Sequence, residues 1–244
     1  MRSRLQGLAS STPPYVDPRA LALRALVVTD HLEEPDMHVR VAALARAGKC
    51  DTQILDDLRG SARSLMYALS RRGDAREVED SPDARTLEAE AIELKRAGIR
   101  VLDALVTDEG RIWLEVFRLP SEDIDLVFDL RAIALLCEEH GSRLGEAFDP
   151  SGAALAARRV ADALEVLLVG PAAQGEWGQW VARAFTLTLS LYLEACRIGQ
   201  LLGEPKGTPL AFPSVARIAR SARRNRSVGS YSMIADNARR DAPA

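Results

Sequence analysis

Glu176 to Gly203 constrains the fold of this chain most. Trp177, Val181, Ala184, Thr188, Leu191, Ala195, Ile198 and Leu202 follow one another at alternating steps of four and three, the repeat of a helix that lays one continuous stripe on a neighbour. A second stripe through Trp180, Leu187, Leu189, Leu193 and Leu201 covers much of the remaining circumference. A helix apolar on two sides is expected in the middle of a bundle. Thr186 to Leu193 also alternates with the period of two that marks a strand. Helix-spaced flanks on both sides make the whole stretch too long for a strand, so helix is preferred. Between Arg183 and Glu194 only ten residues are uncharged, short of the ~20 a bilayer requires. No transmembrane segment is expected.

The remaining punctuation predicts an all-α fold, a multi-helix bundle of about six to eight helices. Asp17-Pro18, Asp51 and Asp149-Pro150 are helix starts, and Gly48 and Gly170-Pro171 are stops. Leu87, Ala91, Leu94, Gly98, Val101 and Leu105 form a second seam, expected to partner the central helix. A short hairpin near 105–118 is the minority reading of the next stretch; a lone hairpin is marginally stable, so 101–119 is also read as helix.

Three regions are expected: a flexible lead-in (1–15), a helical domain (16–203) and a Pro-broken connector with a disordered basic tail (204–244). The domain has room for sub-lobes 16–72 and 84–203, joined by the charged linker 73–83. From Pro213 onward seven Arg stand against two Asp, a balance of +5 within an overall charge of −3, so the preceding body carries −8. Such a tail suits an acidic partner or a nucleic-acid backbone. Its candidate contacts are Arg217, Arg220, Arg223, Arg224 and Arg226, with Val215, Ile218, Ala219 and Ala222 on the other side if it is helical.

Signals for chemistry are sparse. Phosphate-loop and nucleophile-elbow motifs are missing, and Cys50, Cys137 and Cys196 have neither metal-ligand nor disulfide spacing. No catalytic residue and no cofactor are nominated. His31, Glu34 and His38 are weak metal candidates, because a short Pro-containing helix-to-helix turn, not one rigid helix face, holds them. Val41 to Leu58 has a helix-turn-helix outline, but Asp51, Asp56 and Asp57 make its second helix a poor DNA reader. Three expectations follow for a cytoplasmic protein. The first is a non-enzymatic adaptor or assembly protein that binds a protein partner or itself. The second is a ligand-binding or regulatory protein with a pocket at Trp177, Trp180 and Phe185. The third is a nucleic-acid binder acting through the tail.

Overall fold

The computed structural model describes residues 5, 8, 11–73, 82–104, 108–119, 123–140, 149–173, 175–203 and 212–224. Among these, the fold is all-helical, without a strand. The helices are α1 (Pro18–Leu32), α2 (Pro35–Arg46), α3 (Gln53–Arg72), α4 (Pro82–Ala104), α5 (Asp108–Arg118), α6 (Asp123–His140), α7 (Pro150–Val169), α8 (Glu176–Leu201) and α9 (215–224), with a 3-10 turn at Gly170–Ala173. The minority hairpin is thereby corrected: Asp108–Arg118 is helix, while 105–107 lie outside the described residues.

Local chemistry sets the helix ends. Asp17 accepts hydrogen bonds from the backbone N–H of Arg19 and Ala20 at 2.8 and 3.2 Å, with Pro18 in the first turn, so donors that the helix itself cannot satisfy are capped. Asp149 and Pro150 do the same for α7 through the N–H of Gly152 at 2.9 Å. Asp51 accepts from Gln53 N–H at the start of α3. That helix closes at Gly73, whose φ of 91° is open to glycine at little cost.

Packing divides the helices into two groups. In the first, α8 lies along α3 and also meets α1, which packs on α2 and α3; in the second, α6 and α7 pack on each other and on α4, which also carries α5. The 3-10 turn touches both α7 and α8. In this arrangement α8 returns to the first group although it follows the second in sequence. The partner of α8 is α3, not the second seam, whose helical part from Leu87 to Val101 lies on α4, which packs on α6 and α7; Leu105 lies outside the described residues.

The most enclosed helix is α6, where twelve residues from Asp125 to Cys137 are buried. The expectation that Glu176 to Gly203 forms the centre is therefore corrected. Helix α8 buries the stripe through Val181, Ala184, Thr188, Ala195 and Ile198, but Leu193 and Leu201 of its second stripe remain 52% and 44% exposed. Two apolar stripes gave the same signal as full burial, yet the fold buries most of one, with Trp177 and Leu191 partly exposed, and leaves more of the other open.

The ends of the chain are also part of the packing. Tyr15 meets Phe185 edge-on at 5.6 Å and lies 6.3 Å from Trp113, and Thr12 N–H donates to Thr186 Oγ1 at 2.8 Å. Over 11–15, then, the flexible lead-in is a bound segment. Over 212–224 the disordered tail is a docked helix, with Phe212, Val215, Ala216, Ile218 and Ala219 buried; 225–244 lie outside the described residues.

Helices α4 and α6 approach closely at Gly98, where an added Cβ would stand 2.7 Å from the Ile133 side chain. Gly98→Val is expected to cost about 1–3 kcal/mol by overpacking. Denaturant titration of a double-mutant cycle with Ile133→Ala should show the pair costing less than the sum of the single changes.

Candidate functional site

Between α3 and α8 lies an open cleft of about 550 Å³. Arg63, Ser64, Tyr67 and Ala68 come from α3, and Glu176, Trp177, Trp180 and Ala184 from α8. Offsets of one, four and five from Arg63 on α3, and of one, four and eight from Glu176 on α8, place these side chains on a shared face of each helix. Tyr67 meets Trp177 edge-on at 5.8 Å. The Arg71 guanidinium lies 5.5 Å from the Trp177 ring and 6.0 Å from that of Tyr67, and Arg183 lies 5.8 Å from Trp180, within reach of cation–π attraction. Trp180 Nε1 donates to Glu176 at 3.3 Å. The result is an apolar floor with aromatic walls and one carboxylate at the rim. Leu5, only 5% exposed, also lines the cleft.

Trp177 and Trp180, expected at a pocket, thus come together in one. Phe185 does not join them: it is fully buried in the core against Tyr15. Tyr67 and Leu5 were missed. The first sits on a helix that is sequence-distant from the tryptophans, and the second in a segment with too few apolar residues to announce a contact.

Tail arginines separate by environment. Arg217 and Arg224 are exposed, and Arg220 pairs with Glu115 at 2.6 Å. Arg223 is buried, donating to Val116 O at 2.7 Å and to both oxygens of Asp129, whose Oδ2 also takes Lys95 Nζ at 2.8 Å. Asp125 lies 3.6 Å from Arg223 Nε. As a contact for an external partner, Arg223 is therefore corrected: its charge is spent inside the fold. Arg226 lies outside the described residues.

The metal candidates diverge. His31 Nδ1 lies 3.3 Å from Glu34, but its ring packs edge-on to Phe212 at 6.0 Å and its Nε2 is buried without a hydrogen-bond partner. His38 is exposed and lines another depression, with Glu33, Gln53 and Asp56. Among the described residues no three His, Cys, Asp or Glu side chains are grouped to hold a metal ion. No described helix is long and apolar enough to cross a membrane.

None of the three thiols is activated. Burial raises Cys50 and Cys137 above the ordinary thiol range, and pushes Cys196 to about 11 against a hydrogen bond with Tyr192 that lowers it. Burial likewise pushes up the Tyr192 phenol, which donates to Pro213 O at 2.5 Å. Comparison with protein-family models, curated proteins and solved structures finds no match to this chain.

Two outcomes follow. Arg223→Ala strands buried carboxylates and is expected to cost about 3–5 kcal/mol, whereas exposed Arg217→Ala should stay within ~0.5 kcal/mol; urea titration compares them. Because a nucleophilic thiol must ionise, alkylation of Cys196 in the folded chain should stay slow at pH 8 and accelerate only as pH approaches 11. The raised folded value also means that its stabilising contribution, complete below the ordinary thiol value of 9.0, is lost as pH rises through about 11. Mass spectrometry of pH-stepped labelling follows the first effect, and denaturation at alkaline pH the second.

Proposed function

We propose that the chain is a non-enzymatic helical recognition protein, an adaptor or assembly component whose α3–α8 cleft receives an apolar segment of a partner protein. One observation carries this reading: Tyr67, Trp177 and Trp180 from two helices converge on a cleft lined mainly by apolar surface, and Tyr67 remains 58% exposed. Aromatic side chains in a groove between helices suit an amphipathic helix that inserts apolar anchors at i, i+3 or i+4. The unactivated thiols and the spread of the histidines fit a role without covalent chemistry.

A second reading, a small-molecule site, draws on the cleft volume of about 550 Å³, within the usual range for ligand pockets. An acidic partner for the exposed Arg217 and Arg224 remains an accessory proposal, and nucleic-acid binding through the tail draws on the same pair.

Trp113 is 5% exposed, so a change in tryptophan emission on binding reports chiefly on Trp177 and Trp180. Titration with a library of amphipathic helical peptides should give saturable shifts. Tyr67→Ala with Trp180→Ala should weaken the best binder tenfold or more, about 1.4 kcal/mol, with the helical circular dichroism signal retained. Unchanged emission across both the peptide library and a metabolite set counts against the cleft as a binding site.

A further inference from the structure

Among the described residues, the α3–α8 cleft is bordered by three arginines and one carboxylate. Arg63 lines it, the Arg71 guanidinium lies between the Trp177 and Tyr67 rings, and Arg183 lies on Trp180. The carboxylate is Glu176, which already accepts the Trp180 Nε1–H. This local excess of positive charge runs against the chain before Pro213, which carries a net −8. It also differs from the rest of the described surface. Arg96, Arg118, Arg158, Arg159 and Arg197 are exposed, and each is paired with an aspartate or a glutamate. Among the described residues, no carboxylate pairs with Arg63, Arg71 or Arg183. Cation–π attraction engages none of the five guanidinium N–H donors, so Arg71 and Arg183 keep theirs for an acceptor.

The positions of the three charges limit what can match them. Arg71, in the last turn of α3, meets Trp177 in the first turn of α8, while Arg197 near the end of α8 donates to Lys49 O ahead of α3. The two helices therefore run antiparallel, with Arg71 at one end of the cleft and Arg63 and Arg183 at the other. Arg63 and Arg71 stand eight residues apart on α3, about 12 Å along its axis. We infer, on the recognition role proposed above, that the segment received by this cleft is acidic on either side of its apolar anchors: a helix with Asp or Glu at i and i+7, about 10 Å apart, and leucine-like side chains at i+3 and i+4. One carboxylate meets Arg71 and the other meets Arg63 and Arg183, in charge-assisted hydrogen bonds that the guanidinium fork can make in pairs. Basic segments are repelled at both ends. A small monocarboxylate engages only one end, so the spacing favours a peptide. Glu176 stands at the Arg71 end, which leaves the larger positive excess at Arg63 and Arg183.

The test titrates the full chain into three dye-labelled helical peptides that share leucines at i+3 and i+4 and carry Glu, Gln or Lys at i and i+7, with fluorescence anisotropy as the readout. The Glu peptide should bind about fivefold more tightly than the Gln peptide, the Lys peptide more weakly than both, and the advantage of Glu should shrink as salt is added. Arg63→Gln with Arg183→Gln should remove most of that advantage and Arg71→Gln less of it, with Gln-peptide binding unchanged. Arg63 and Arg71 are exposed, so Arg63→Glu with Arg71→Glu should keep the helical circular dichroism signal and reverse the preference towards the Lys peptide. Equal binding of all three peptides by the parent chain would overturn the acidic assignment and leave recognition of an apolar segment standing. Tighter binding of the Lys peptide would overturn it in favour of Glu176 as the selecting charge. If no peptide binds, the recognition reading falls too, and saturable binding of dodecanoate in their place would assign the cleft to small amphipathic anions.

Discussion

The buried Asp129 carboxylate ties three helices of this fold together. It is 1% exposed on α6, and it receives Lys95 from α4 and Arg223 from α9, the second 94 residues away in sequence. A parallel cluster on the same helix joins Arg131 to Glu165 and Asp162 of α7 and to Pro14 O, while Glu165 also takes Arg72 of α3 at 3.0 Å. Burial acts to lower the Arg131 pKa, but the neighbouring carboxylates outweigh it and hold the group above its ordinary value. Buried pairs of this kind add little net stability relative to well-packed apolar residues, but breaking one is costly. Their effect here is to fix which helices meet and in which register. Removing either cluster would leave α6 with an unpaired charge at the centre of the protein.

Those clusters explain how the segments before α1 and after α8 become structural. Arg131 and Thr186 hold 12–14 against α6 and α8, and Arg223 draws α9 onto α5 and α6. Phe212 completes the attachment at the other side: it occupies the space left by Gly199, where a Cβ would approach it to 2.7 Å, and lies edge-on to His31. The 212–224 segment therefore touches both helix groups, Phe212 the first and α9 the second. Among the described residues, Leu5 is the one lining residue of the α3–α8 cleft that comes from outside those two helices.

Much of the helical content was legible because it depends on local chemistry: Asp17-Pro18, Asp51, Asp149-Pro150 and Gly73 each act within a few residues of their own position. The amphipathic side of 215–224 was legible too, since Val215, Ile218 and Ala219 are the residues that dock. What stayed hidden was long-range pairing. Asp125, Asp129 and Arg131 make α6 look less apolar than α8, although α6 is the more deeply buried, because their partners lie on other helices and leave no spacing to read. The cleft was half legible: Trp177 and Trp180 share a helix and a periodicity, whereas Tyr67 and Leu5 reach it only through the tertiary fold.

Hydrogen exchange measured by mass spectrometry on the full chain tests most directly whether the buried charges bind the tail into the body. The account predicts slow exchange for amides in 216–224, approaching that of α6, with protection in both segments falling together in Arg223→Ala. Exchange of 216–224 at the rate of an unstructured peptide, while α6 stays protected, would contradict it.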